Sequence, residues 1–244
     1  MHRIKMIIQY DGSHYHGFQI QLRVPTVQAI LQQAINSLSG EEVSLLFAGR
    51  TDAGVHALGQ VIAFDTAASI PAERWGQALN SHLPADIQVL QSQAAPDCFH
   101  PRFQAKIKHY RYLIYRNPIG AVCQRKYAWC STETLNIKAM QESCRFLTGR
   151  QNFKSFCASG SSVKTFTRTI SQCHLQEQGD YLVLDIAADG FLYNMVRIIM
   201  GTLMEIGRDR RPAAEMAAII ARQDRNYAGP TAPPQGLYLV RVDY

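Results

Sequence analysis

No two of the six cysteines stand in a C-x-x-C pair, which argues against a zinc knuckle or a dithiol redox motif. Cys98, Cys123, Cys130, Cys144, Cys157 and Cys173 are scattered instead, and are expected to be reduced, mostly buried thiols. Long hydrophobic runs are missing too. The opening MHRIKMIIQYDG holds one short apolar run of strand length before a turn, unlike a signal peptide or a membrane span, so a cytoplasmic protein with no membrane partner is expected. His14, His16 and His56 have no cysteine or carboxylate to complete a ligand set; turn or core histidines are expected there, and no metal. A charged fraction of 18% beside 47% hydrophobic residues argues against disorder.

What the chain does have is a mild positive excess. Lys and Arg number 25 against 19 Asp and Glu, for a net charge of +6 and a pI near 9.1. That favours a polyanion such as nucleic acid, although many enzymes without such a partner are equally basic. At 244 residues there is room for one large domain or two modest ones, each with its own core.

Periodicity supplies the elements. A strand at Arg3 to Tyr10 runs into a turn at Asp11 and Gly12, and a helix follows from Thr26 to Leu38 with Val27, Ile30, Leu31, Ala34, Ile35 and Leu38 in one stripe. Strands at Val43 to Ala48 and Gln60 to Phe64, a helix from Pro71 to Ser81 and a strand at Ile87 to Gln91 complete the order β-α-β-β-α-β. This is the ferredoxin-like, RRM-like split unit of an α+β fold: an antiparallel sheet with both helices on one face and the other face open to a ligand.

The order then recurs. A strand at Lys106 to Tyr115, a helix at Leu135 to Leu147, strands at Thr167 to Gln176 and Tyr181 to Ala187, a helix at Leu192 to Gly207, an extra helix at Pro212 to Arg222 and a strand at Gly236 to Val242 repeat the first half with additions. The expected domains are therefore 1–104 and 105–244. Their sheets are expected to lie edge to edge as one continuous sheet around a central cleft, where polar loops of both halves meet.

The densest chemical signal is Gly49-Arg50-Thr51-Asp52-Ala53-Gly54-Val55-His56, charged and glycine residues suspended between two strands, where reactive groups tend to sit. An Asp in a glycine-rich turn can also do no more than accept backbone hydrogen bonds. With Ala57-Leu58-Gly59-Gln60-Val61 the run closely resembles the GRTDxGVHA signature of tRNA pseudouridine synthase A (TruA) enzymes. Four other blocks resemble that family in the same order: Tyr10-Asp11-Gly12-Ser13 with Tyr15, Gly17 and Gln19; Lys108-His109-Tyr110-Arg111-Tyr112; Gly190-Phe191-Leu192 with Met195-Val196-Arg197 and Gly201; and Pro234-Gln235-Gly236-Leu237-Tyr238-Leu239.

The resemblance implies a duplicated α/β homodimer, without metal or organic cofactor, that isomerises uridine to pseudouridine in the anticodon arm of tRNA around nucleotides 38 to 40. By its match to the signature, Asp52 is the expected catalytic carboxylate. It can attack the sugar or the base, or remove a ribose proton, and the sequence leaves these roles open. The role requires an ionised carboxylate in a partly dry pocket, where burial alone favours the neutral form, so a cation is needed. Arg197 is the expected partner, through two parallel hydrogen bonds.

The target uridine must be flipped out of its stack and its lost stacking replaced by protein surface. Tyr110 matches the family's aromatic stacking residue, although strand tyrosines are also ordinary core. Arg50 is expected to fill the space the base leaves or to contact its phosphate. Leu237 stands where it can line the pocket, but a strand-opening Leu is more often plain core.

Two positions depart from the family's common usage: Phe18 stands where Trp is frequent, and Ile20 where Arg is frequent, which bears on how RNA is docked more than on the chemistry. Two other functions fit the same residues. A non-catalytic RNA-binding protein needs only phosphate contacts and stacking, and a nucleoside hydrolase would release the base.

Overall fold

Apolar residues alternate from Ile4 to Tyr10, and in the computed structural model, which describes residues 1–160 and 163–244, they form β1 (His2–Tyr10) with Ile4, Met6, Ile8 and Tyr10 buried on one face. Chain contacts divide the protein into two units, Met1–Lys106 with Tyr238–Tyr244, and Ile107–Leu237.

In the first unit, α1 (Val27–Ser39) starts where expected because Thr26 caps it, its hydroxyl accepting the Ala29 N–H, and it stops at Gly40, whose φ of 72° is left-handed. Val27, Leu31, Ala34 and Ile35 are its buried stripe. The segment expected as a strand from Val43 to Ala48 narrows to β2 (Leu46–Phe47). Its first residues are bonded elsewhere: the Val43 N–H goes to the side chain of Asn36, and the Glu41 carboxylate holds Thr66 and the Ala67 N–H.

Next comes β3 (His56–Thr66), buried along nearly its whole length and longer than its apolar run. The helix expected to open at Pro71 begins as a 3-10 turn at Ala72–Arg74 before α2 (Trp75–Asn80). Trp75 is fully buried and meets Phe64 edge-on at 5.1 Å between ring centres, which docks α2 on the sheet. β4 (Ile87–Ala95) pairs antiparallel with β1; β1 pairs antiparallel with β3, and β3 with β2.

The opposite face of this sheet is not left open as the sequence suggests. Ala48, Val61, Ala63 and Phe99 form an apolar cluster there with Ile7, Leu46, Ala95, Val242 and Tyr244. The chain after β4 supplies the cover: Arg3 donates to Phe99 O at 2.6 Å and Tyr244 OH to Pro101 O at 2.9 Å.

The second unit contains β5 (Ile107–Tyr115), α3 (Ala121–Gln124), β6 (Trp129–Cys130), α4 (Ile137–Leu147), β7 (Gly149–Asn152), β8 (Thr167–Gln178), β9 (Tyr181–Ala188), α5 (Met195–Gly207) and α6 (Glu215–Arg222). Its sheet runs β5-β9-β8-β7 in antiparallel pairs, with β6 parallel to β5. Leaving aside the short β6 and β7, the pairing of first strand to third and third to second is found in both units, as β1-β3-β2 and β5-β9-β8.

Helix α5 is apolar almost all round and buried, a core helix. It starts three residues later than its apolar pattern because Asn194 takes the left-handed conformation, φ 60°, just before it.

The closing strand β10 (Leu237–Asp243) follows. Periodicity assigns it to the second half, yet it pairs parallel with β3, Tyr238 opposite His56 and Leu239 opposite Ala57, and residues from Tyr238 on belong to the first unit. The result is a mixed α+β protein whose described residues include six α-helices. None of the described helices is long and apolar enough to cross a membrane. All six cysteines are free thiols, but only Cys144 and Cys157 are buried. Cys98 and Cys123 are exposed, outside the sheets, so the expectation of mostly buried thiols is corrected.

Candidate active site

In the first unit, two of the five sequence blocks form one structure. The segment Tyr10 to Phe18 wraps the 48–56 loop and holds it at several points. Tyr10 OH and Thr51 Oγ1 are 2.7 Å apart in the interior, Phe18 N–H donates to Thr51 O at 3.1 Å, and Gly54 N–H to Tyr15 O at 3.3 Å. Gly12 N–H donates to Nδ1 of His56 at 3.0 Å.

Gly12 is required here by space. A Cβ on it would stand 2.0 Å from Val55 O, so no larger residue fits without moving the loop. Gln60, wholly buried in β3, spends its amide on the strand end, donating to Gly49 O at 2.7 Å. Val55 N–H donates to Asp52 O at 3.1 Å and closes the turn. Asp52 is thereby presented half-buried at the crown of a loop anchored on both sides, while Arg50 is exposed on its leading edge.

The phenols that support this loop are kept neutral. Burial, eased only in part by hydrogen bonds from Thr51 and Gln60, pushes the Tyr10 hydroxyl well above its usual range. Burial and then the hydrogen bond to Asp86, 2.6 Å long, do the same for Tyr15. Both therefore act as fixed hydrogen-bonding props at any physiological pH.

In the second unit the blocks around Tyr110 and Arg197 are tied to the segment just ahead of the closing block, at Ala232 and Pro233. Tyr110 is buried in β5, its ring edge-on to Phe191 at 5.0 Å and 80°. Tyr112, two residues on and so on the same face of the strand, donates its hydroxyl to Pro233 O at 2.7 Å. Burial raises its titration well above the usual range, offset in part by the nearby Arg197 guanidinium.

Arg197, half-buried in the first turn of α5, donates from Nε to Ala232 O at 2.8 Å and from Nη1 to Asn194 Oδ1 at 2.6 Å. Ala232 N–H returns a bond to Arg197 O at 3.0 Å. Two of the five guanidinium N–H groups thus set the plane of the fork. Gly201 lets the chain at Pro230 cross α5 closely, since a Cβ there would sit 1.8 Å from Pro230 O.

The four residues singled out in sequence therefore fall two to each unit: Arg50 and Asp52 on one loop, Tyr110 and Arg197 around the joint of β5, α5 and the closing segment. Leu237, at the start of β10, is buried.

The supports are not marked by the motifs themselves. Thr51, His56, Tyr112 and Asn194 all lie inside the quoted blocks or beside them, and that adjacency was the available signal. An open pocket of about 480 Å³ in the second unit, lined by Ser159, Arg225, Asn226 and Thr231 among others, contains none of the four. Among the described residues no group of three or more His, Cys, Asp or Glu is gathered to hold a metal ion.

A family model described as tRNA pseudouridine synthase matches residues 6–104 and 144–244. The chain is 60% identical over 244 residues to tRNA pseudouridine synthase A of Syntrophomonas wolfei subsp. wolfei, covering 100% of this chain and 98% of that one. It is 50% identical to the protein of that name from Moorella thermoacetica, with 99% of each chain covered. Among solved structures, a chain of a Cbf5-Nop10-Gar1 complex aligns with 83% of this chain and 54% of its own at 12% identity and a TM-score of 0.36, a likeness too slight to bear on fold or site. The chain belongs to the tRNA pseudouridine synthase A family, whose members are isomerases.

Proposed function

We propose that the protein converts uridine to pseudouridine in the anticodon arm of tRNA, at nucleotides 38 to 40, with Asp52 as the nucleophile. The reaction breaks the bond between ribose carbon and base nitrogen, rotates the captive base, and joins its C5 to the same ribose carbon. The proton lost from C5 is matched by one gained at the former glycosidic nitrogen, so no oxidant, reductant or water is consumed. A carboxylate suits the first step, because the ribose carbon develops cationic character as the bond breaks.

In this reading the two units are ferredoxin-like halves, the first carrying the Asp52 loop and the second completing an RNA-binding cleft. The uridine is flipped out of its helix. The Tyr110 ring stacks on it, Arg50 fills the vacated space or meets the phosphate, and the Arg197 fork pairs with Asp52. The protein acts in the cytoplasm as a homodimer.

One observation carries the proposal: the 48–56 loop is anchored at Thr51, Gly54 and His56, so that Asp52 is held half-buried on a rigid support. Catalysis by a positioned group needs that rigidity.

The test is base-resolved pseudouridine mapping of defined tRNAs treated with the purified protein. Conversion at positions 38 to 40 is expected. Free uracil would identify a nucleoside hydrolase, binding without any change a non-catalytic RNA-binding protein, and conversion elsewhere would reject the anticodon arm as target.

A further inference from the structure

His56 opens β3 four residues after Asp52, with a side chain only 2% exposed. A neutral imidazole has one N–H and one lone pair, and the partner of either nitrogen fixes the tautomer. Nδ1 of His56 faces two groups: the Gly12 N–H at 3.0 Å and Asp11 Oδ1 at 3.2 Å. The first wants a lone pair there and the second a proton.

The backbone N–H is fixed by the turn, whereas Asp11 Oδ1 already accepts the Ser13 N–H at 2.9 Å. An acceptor at Nδ1 for the Gly12 N–H leaves Nε2 to carry the ring N–H. The ring plane is set by Tyr238 of β10, stacked 4.8 Å away and tilted by 19°.

We infer that His56 is a positioning residue for the isomerisation, an acceptor latch that ties the Gly12 turn to the end of the Asp52 loop. The inference rests on the reading of Asp52 as nucleophile. The start of the loop is held through Thr51, by Tyr10 and by the Phe18 N–H. The far end is held by the contact of Gly12 with Val55 and by the imidazole. Val55 in turn bonds Asp52 O, so a movement of the Gly12 turn is passed to Asp52 through one residue. An apolar side chain at position 56 strands a buried N–H, and the turn then relaxes toward some other acceptor.

The experiment measures pseudouridine formation on a defined tRNA by the full-length protein and by His56→Leu, His56→Asn and Asp52→Asn. Asn offers an amide oxygen close to where Nδ1 stands. His56→Leu is expected to lose about 10- to 100-fold in kcat, the scale of a small displacement of a reacting group, with KM for tRNA nearly unchanged. His56→Asn is expected to regain most of that loss. Nitrogen-15 NMR of the wild type is expected to show His56 Nδ1 without a proton.

Equal losses in Leu and Asn, a loss confined to KM, or a protonated Nδ1 would overturn the latch. Should His56→Leu fail to fold, the Asn variant and the NMR signal decide. Asp52→Asn separates the two claims. If it is fully active, the nucleophile reading falls. If it is dead while His56→Leu turns over at the wild-type rate, only the latch falls.

Discussion

Gly12→Ala adds a single methylene's worth of atoms, one carbon and two hydrogens, and the structure says where they go. Gly12 is buried in the turn after β1 and does not have a positive φ, so alanine faces no conformational penalty there. The penalty is one of space: the new Cβ would lie 2.0 Å from Val55 O and 2.6 Å from Val55 C. An ordinary contact begins at 3.4 Å, so the Val55 carbonyl must retreat by about 1.4 Å or the Gly12 turn must yield by as much, at an overpacking cost of about 1–3 kcal/mol. Val55 N–H is bonded to Asp52 O at 3.1 Å, and misplacing a reacting group by about 1 Å costs about 100-fold in rate.

The expected outcome is a kcat about 100-fold below wild type with tRNA affinity little changed. Gly40→Ala is the control. Gly40 has φ 72° and nothing within 4 Å of the added carbon, so it should lose about 1 kcal/mol of stability through strain and no activity. Steady-state pseudouridine formation and urea unfolding of both variants give the comparison. A Gly12→Ala enzyme with near-normal kcat would refute the idea that this contact sets the loop.

Three further outcomes are expected. Tyr110→Phe should cost less activity than Tyr110→Ala if the ring's stacking is what counts; equal losses measured as kcat/KM would point to the hydroxyl. Arg197→Lys keeps the charge but cannot span Ala232 O and Asn194 Oδ1 as the fork does, so kcat should fall about tenfold or more; an unchanged kcat would show that charge alone suffices. Arg3, through its hydrogen bond, holds the Asp65 carboxyl below the usual carboxylate range. That stabilisation is complete above the unfolded value near ~4 and is lost as pH falls through the lower folded value. With Asp65 45% exposed it is worth about 0.5 kcal/mol at most. Asp65→Asn should therefore lower stability slightly at neutral pH and not in strong acid, and an equal gap at both would contradict it.

Local structure was readable where local chemistry decides it. Thr26 and Gly40 bracket α1 because a hydroxyl cap and a left-handed glycine act within one turn. The strands β1, β5, β8 and β9 follow the alternation or apolar runs of their own residues. The errors lie where a distant partner decides. β2 shrank because Asn36 and Glu41 take up the backbone ahead of it or tie it down. β10 joined the first unit because its partner, His56 to Ala57, lies some 180 residues earlier in the chain, beyond any periodicity. The open sheet face was lost to Phe99 and Tyr244, which no period relates to Ile7.

At the site, the blocks point to candidate residues but not to their supports. A motif marks Asp52. It does not reveal that Thr51 meets Tyr10, that His56 serves Gly12, or that Arg197 and Tyr112 hold adjacent carbonyls at Ala232 and Pro233. Those pairings join blocks 35 to 121 residues apart.

The most direct measurement compares the wild type with Asp52→Asn on one defined tRNA, reading pseudouridine at each base and tRNA affinity in parallel. The substitution removes a charge and almost no volume. The account predicts that conversion disappears while binding stays near wild type; full conversion by the Asn variant would contradict it.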